Sequence, residues 1–478
     1  MRSKDSSVGV LPELGVVYSE RPVSGWGGLV SVYRFFDRLG VREWLEQALP
    51  DGRTSPNQIS VVDMTLSLFG TILTGGSRFS HVERIRQDEV VRSAMRARRI
   101  PSAMTLTRYF GGFVQSQVEH LTDVLSQRFG ALLRPAPAGS VVDLDSSVFE
   151  RFGRQEGSVK GHNPRRHGRP SHHPLFAMLA ETKQVFQVWL RSGNSGTARG
   201  VEAFLAEMLS RLPRGFSIRA VRADSGFFVT SLLQTLEERG LAYAIAVRML
   251  RPVRSVVLGI KEWRSFAPGL EVGELDYQAH TWKKPRRLVV VREELKERPD
   301  AAGRRLFELP GYTVHAVVTT MTEPPEDIWR FYNGRAESEN RLKELKHSFG
   351  ANGFCLATFA GTEAVFRLNC LLFNLLAEFK HRILEDDKPQ LCTLRHRLFV
   401  VGASKGTEGR KQLLRLALRG RLRETFEQIL KRIQQLPSTV TQKQEPIENT
   451  ALEPPRRWRS RRSQRQEGQF HLPLFGFN

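Results

Sequence analysis

The sequence predicts an α/β protein, a mixed β-sheet with helices on its faces, set between helical N-terminal and C-terminal regions. Three observations predict it. The chain has 478 residues, 40% of them apolar, enough for several sub-domains and a large buried core. Between about residues 140 and 248, short β-branched runs alternate with helical stretches in the order β-β-β-α-β-α-β. Before and after that block the apolar period is helical.

The elements follow in chain order. Residues 1–24 read as a tail and 25–135 as a helical DNA-binding or dimerisation region, with helices over 30–36 and 61–73 and a stop at Gly75-Gly76. Ser102 ahead of Thr105-Leu106-Thr107-Arg108-Tyr109 reads as a capped helix, either a DNA-reading helix or an ordinary amphipathic one. Pro135-Ala136-Pro137-Ala138-Gly139 ends this region. Strands are expected over 141–145, 173–182 and 185–190, the last two joined at Lys183-Gln184. A helix over 199–212, a strand over 218–223, a helix over 230–239 and a strand over 242–248 complete the block. Residues 250–310 read as a β-rich, basic insertion containing Trp282-Lys283-Lys284-Pro285-Arg286-Arg287. The helical period resumes at Pro325, a good first-turn residue, and runs to about His347, with an apolar helix over 362–383. Helices are expected over 386–436 and a disordered basic tail over 437–478.

Seventy-two Lys and Arg against 50 Asp and Glu give a net charge of +22. Such an excess repels itself unless a polyanion is near, and nucleic acid is the commonest one. Simply Arg-rich proteins also run basic. Cys355, Cys370 and Cys392 show no metal-binding spacing and cannot all pair, which fits a reducing cytoplasm. Behind Met1 no signal-peptide core follows, and the most apolar stretch, 368–377, is too short to span a bilayer. The expectation is a protein of the cytoplasm, at the nucleoid, with no membrane partner.

Chemistry points to three carboxylates. On a continuous helix, with Arg335 as zero, Lys346 falls at about 20°, Glu339 at about 40° and Tyr332 at about 60°. Glu337 and Glu344 fall on the far side, so one acid shares a face with two cations and a tyrosine. Ile328 and Leu342 lie on the same stripe, so the face is expected to be partly buried. An Arg335–Glu339 surface ion pair is the plainer reading. Asp145 ends an apolar strand before Ser146-Ser147, and Asp143, two residues earlier, faces the same way. Asp224 ends another strand before Ser225-Gly226-Phe227, where it serves either as ligand or as turn former. Three converging carboxylates need cations. Hard Mg²⁺ suits oxygen donors, and paired ions promote in-line displacement at phosphorus. Arg335, Lys346 and Tyr332 are then candidates to hold phosphate oxygens.

These residues resemble the DDE transposases of bacterial insertion sequences, in the insertion-sequence-four superfamily and most like its thirteen-eighty branch. The resemblance rests on Asp143-Leu144-Asp145-Ser146-Ser147 with the Gly157–Pro164 and Gly168–Leu175 blocks, on Arg222-Ala223-Asp224-Ser225-Gly226-Phe227, and on Tyr332, Arg335, Glu339 and Lys346. The last four, spaced three, four and seven apart, match the Y-x2-R-x3-E-x6-K signature. The resemblance implies a ribonuclease H-like catalytic core over 136–249 and 311–385. Asp145, Asp224 and Glu339 would be its catalytic and metal-binding residues, with two Mg²⁺ ions that Mn²⁺ can replace. It implies a homodimeric synaptic complex with double-stranded DNA, both terminal inverted repeats and target, and cut-and-paste movement. It also implies an insertion tryptophan that stabilises a flipped base. Trp282, beside Arg286 and Arg287, is the candidate and Trp263 the spare, against a core tryptophan as the plainer reading. Two rivals remain at this point: a nuclease of the same fold that never joins DNA, and a DNA-binding regulator without catalysis.

Overall fold

The computed structural model describes residues 21–52, 55–161, 163, 166–294 and 312–437. The tails expected at either end therefore lie almost wholly outside the described residues. Nine strands build the main sheet: β1 (Ser140–Ser146), β2 (Leu175–Leu179), β3 (Gln184–Trp189), β4 (Ile218–Ala223), β5 (Ala242–Ala246), β6 (Arg264–Ala267), β7 (Leu270–Tyr277), β8 (Arg286–Glu294) and β9 (Tyr312–Thr319). Their lateral order is β6-β7-β8-β9-β5-β4-β1-β2-β3.

The centre of that sheet is the expected block. β1, β4 and β5 run parallel, and β2 and β3 return antiparallel beside β1. Parallel neighbours need crossovers, supplied by the helices Val201–Ser210 and Thr230–Glu238. An order of 3-2-1-4-5, with the last two strands parallel to the first, is the ribonuclease H-like arrangement. β1 is buried along nearly its whole length, as a central strand covered on both faces must be, which explains its run Val141-Val142 and Leu144. Lys183 takes the left-handed φ of 59° that the β2–β3 turn needs. At the β3 edge, Asn374 Nδ2 donates to the Val185 carbonyl at 2.7 Å and its Oδ1 accepts from the Val185 N–H at 2.8 Å. One amide thus does the hydrogen bonding of a missing strand.

Two expectations are corrected here and one is given its place. First, the β-rich insertion extends the main sheet. β9 pairs antiparallel with β5, and β8, β7 and β6 continue outward from it. Val289, Val290 and Val291 are fully buried, Val290 in the main hydrophobic core and Val289 and Val291 in a second cluster with Ala244, Val317 and Ile328, so insertion and core share one sheet covered on both faces. The insertion also opens with a helix, Arg251–Leu258, whose Pro252 fits the first turn and whose Val253 and Val257 form its buried stripe. Second, residues 386–436 are not all helical: Ala403–Glu408 and Lys411–Leu416 form a hairpin that pairs with Val23–Ser24. Gly409, at φ 56°, makes its turn. Third, the helix expected from Pro325 to His347 is two helices, Pro325–Asn333 and Ala336–His347. The backbone tightens between them, with Arg335 N–H donating to Tyr332 O and Ser338 N–H to Arg335 O, each three residues back.

The N-terminal helices are as expected in place. Val61–Leu73 has the expected bounds and is buried on every face. Ser102 caps Ala103–Gly111 by accepting from the Thr105 N–H at 3.2 Å. Their core continues into the helix Phe359–Phe379, where Phe35 meets Phe379 edge-on at 5.3 Å. That helix, extended to Leu384, is long and apolar enough to cross a bilayer by length and composition, but 83% of its apolar window is buried inside the protein.

Candidate active site

β1 and β4 lie side by side and parallel, with Asp143 opposite Arg222 and Leu144 opposite Ala223. The next step outward on each strand is an acid, Asp145 and Asp224. Both therefore stand at the carboxyl ends of adjacent parallel strands, the usual ligand-binding edge of such a sheet. Asp145 is buried, and its Oδ1 accepts from its neighbour's Ser146 N–H at 2.7 Å. Asp224 is half-buried, and its Oδ1 accepts from the Gly226 N–H at 2.8 Å, capping a single turn. The turn-former reading of Asp224 thus holds. A side chain at Gly226 would strike Thr197 and Asp224 itself, so glycine is what leaves this carboxylate room.

Glu339 comes from the first turn of Ala336–His347, and the guanidinium of Arg335 links it to Asp145. Arg335 Nη2 donates to Glu339 Oε1 at 2.6 Å, and Nη1 lies 3.5 Å from Asp145 Oδ2. The expected partial burial of this face is only half right. Ile328, Leu342 and the Arg335 side chain are shielded, while the Glu339 side chain is 48% exposed. The plainer reading, an Arg335–Glu339 ion pair, is also present.

The electrostatics register the convergence. Burial pushes the Asp145 carboxyl up to about 7, Arg335 opposes this, and repulsion from Asp224 and Glu339 adds to it. Burial pulls Arg335 down, but Tyr332, Asp145, Glu339 and Asp224 outweigh it and hold the guanidinium above its ordinary range. Tyr332 is raised, chiefly by burial, and is hydrogen-bonded to Arg335. Its ring stacks on Trp329 at 5.9 Å.

Among the described residues no three acidic, His or Cys groups stand close enough to hold a metal ion as placed. The donor set still suits one. It is all carboxylate oxygen, as a hard divalent cation prefers. A cation already bridges two of its members, since the Arg335 guanidinium sits between Asp145 and Glu339.

Asp143 is separated from this group. Arg222 donates from Nε to its Oδ1 at 2.6 Å and from Nη2 to its Oδ2 at 2.9 Å, and Asp143 is fully buried. The sequence left Asp143 and Asp145 as alternatives; the structure commits Asp143 to Arg222. Arg222 also donates to the Phe331 carbonyl at 2.7 Å and lies over the Phe331 ring at 5.1 Å. It packs so tightly against Gly334 that a Cβ there would come within 2.4 Å of Nη1. The sequence reading missed Arg222, and its signal is an arginine two residues before one acid facing an aspartate two residues before the other. Arg248 was missed as well; it donates to the carbonyls of Ser225 and Gly226, at 2.7 and 3.0 Å, and steadies the turn after Asp224.

The remaining candidates are placed differently from the expectation. Lys346 Nζ donates to the Val148 carbonyl at 2.9 Å and to Ser147 Oγ at 3.2 Å, so it ties the Glu339 helix to the chain leaving Asp145. Trp282 is not a surface base-binder but a core residue, packed on Phe228 and Tyr277, with its indole N–H donating to Thr230 Oγ1 at 3.2 Å. Arg286 lies 4.6 Å from the Trp282 ring and bonds both oxygens of Glu237, at 2.6 and 3.2 Å. Arg287 is taken by Glu274 and by the carbonyls of Met321 and Glu323. A basic run beside a tryptophan reads as a DNA surface only until its acids are found. The spare, Trp263, is covered by Arg292 at 4.3 Å.

No curated protein matches the chain. Among solved structures, a piggyBac transposase synaptic complex with hairpin DNA is similar at a TM-score of 0.45 and 14% identity, over 80% of this chain and 82% of that one. The family described as Transposase DDE domain group 1 matches residues 16–438. With two strand-end aspartates, a helical glutamate and a match over most of its length, the chain belongs to the DDE transposase family.

Proposed function

We propose that this transposase binds the terminal inverted repeats of an insertion sequence as a homodimer, then cleaves DNA strands and transfers them by cut-and-paste movement. In this reading Asp145, Asp224 and Glu339 are the catalytic acids. The single observation that carries it is the Arg335 guanidinium, which bonds Glu339 at 2.6 Å and lies 3.5 Å from Asp145, beside Asp224 at the carboxyl edge of β1 and β4.

The three carboxylates would hold two Mg²⁺ ions, which would supply activation of an attacking oxygen and stabilisation of the leaving one at phosphorus. The chain's own residues do the positioning. Arg222 joins β1, β4 and the end of the helix Pro325–Asn333, and so holds all three acids in one frame. Arg335 and Tyr332 sit at the mouth of that frame and take non-bridging phosphate oxygens. Lys346 acts through the backbone of Ser147–Val148 and is a positioning residue. Little covalent chemistry falls to the protein beyond placement and charge.

The test is cleavage of labelled DNA carrying the element's ends, with Mg²⁺ or Mn²⁺, resolved for nicks and joined product. Asp145→Ala, Asp224→Ala and Glu339→Ala each abolish cleavage while end binding survives. Normal cutting by Glu339→Ala would sink the assignment. Cutting without joining would favour a nuclease, and binding indifferent to divalent ions, with no cutting, a regulator.

A further inference from the structure

Between β1 and β2 the chain leaves the main sheet and builds a small one from Phe149–Glu150, Pro170–His172 and Val159–Lys160. Alternation from Phe149 onward buries Phe149 and Arg151 and turns Glu150 and Phe152 outward. The buried side is firmly held: Arg151 Nε donates to His172 Nδ1 at 2.9 Å and Nη1 to the Asn352 carbonyl. On the outer side, Glu150 accepts from Asn163 Nδ2 at 3.3 Å and pairs with Arg166 at 3.4 Å, folding the loop back over the strand.

This framework displays an aromatic ring. Phe152 is 73% exposed, the highest value among the exposed large apolar side chains of the described residues and the only aromatic in that set. A single exposed apolar residue is ordinary. This one carries the Arg169 guanidinium over its ring at 4.8 Å. Arg154, Lys160, Arg166 and His167 of the same segment are exposed, and the sequence from 151 to 173 contains one acid, Glu156, which accepts from the Phe359 N–H at 2.8 Å. An aromatic ring with a cation on it, in a field of positive charge, suits a ligand with a flat π-face and negative charge. A nucleobase on its phosphodiester chain has both. A paired base is already stacked above and below, so the ligand is a base freed from the duplex. Phe152 follows Asp145 by seven residues, which keeps their Cα atoms within about 25 Å.

We propose that Phe152 and Arg169 form a stacking platform for one unpaired base of DNA; the inference rests on the DNA strand-transfer reading above.

The test compares full-length parent, Phe152→Ala and Phe152→Trp by fluorescence anisotropy at fixed salt. The probes are a labelled oligothymidine single strand and a random-sequence duplex of equal length. Phe152→Ala should weaken single-strand binding about tenfold, or about 1.4 kcal/mol, and duplex binding less than twofold, while Phe152→Trp restores the parent value. Unchanged binding by Phe152→Ala, or equal losses on both probes, would overturn the platform alone. A changed oligomeric state with unchanged single-strand binding would assign Phe152 to a protein contact and overturn it too. A parent that binds neither probe would bring down the DNA reading itself, and the platform with it.

Discussion

Arg222 grips both carboxylate oxygens of Asp143, at 2.6 and 2.9 Å, and spends its remaining nitrogen on the Phe331 carbonyl at 2.7 Å. One buried ion pair thus joins the two aspartate-bearing strands to the helix that leads to Glu339. Removing one partner of such a pair strands the other charge in the interior. Arg222→Ala should therefore cost about 3–5 kcal/mol of stability. Urea unfolding checks this, and a loss under about 1 kcal/mol, the range of surface ion pairs, would show that the pair is not structural.

Asp145 should behave in the opposite way. Its carboxylate is buried and repelled by Asp224 and Glu339, so Asp145→Asn relieves a cost that exists without metal. The metal-free variant should unfold at or above the parent's temperature. It should also lose the stabilisation that Mg²⁺ or Mn²⁺ confers on the parent. A variant that keeps the parent's ion-induced rise in Tm would remove Asp145 from the ligand set.

The Arg335 guanidinium holds a cation's place between Asp145 and Glu339. Arg335→Ala should bind Mn²⁺ roughly fivefold more tightly in the absence of DNA, since a half-exposed ion pair is worth about 1 kcal/mol. Its DNA cleavage should nevertheless fall. Titration calorimetry reads the first effect, and weaker Mn²⁺ binding would contradict it.

His172 gives a pH dependence with a definite sign. Its Nδ1 accepts from Arg151, its Nε2–H donates to the Glu156 carbonyl at 2.8 Å, and burial, with Arg151, pulls it down to about 4. Between pH ~6.5 and ~4 the unfolded chain binds a proton there that the folded chain refuses. This contribution is complete above pH ~6.5 and declines as pH falls through the window, by up to roughly 3 kcal/mol. Unfolding midpoints of the parent and of His172→Gln should converge as pH falls; parallel curves would show that another group governs the window.

Trp282→Ala should cost about 3–5 kcal/mol, as truncation of a buried aromatic does, and Trp282→Phe much less. Affinity of the folded variant for DNA should match the parent's. A large loss of DNA affinity with unchanged stability would return Trp282 to the DNA surface.

The sequence was most legible where one local rule sufficed. β4 and the helix Val61–Leu73 were bounded correctly because their apolar patterns end at clear turn or cap residues. Glu339 was singled out by periodicity alone, although the helix proved to tighten at Gly334-Arg335. What stayed hidden depends on which strands become neighbours. Arg222 has no meaning until β1 and β4 are known to pair in register, and Arg286 reads as DNA-binding until Glu237, 49 residues away, is found beside it. The hairpin near residue 410 was missed because its half-buried faces lack clean alternation.

The shared core of the N-terminal helices has a consequence for biosynthesis. Arg395 reaches the Ile72 carbonyl at 2.8 Å across 323 residues of chain. At translation rates of about 5–20 residues per second, the early helices wait roughly 16–65 s before this partner leaves the ribosome. Throughout that interval their apolar faces lack their final cover, and they are open to chaperones or to a neighbouring nascent copy. The site is likewise incomplete until the chain through Glu339 has been made, 194 residues after Asp145.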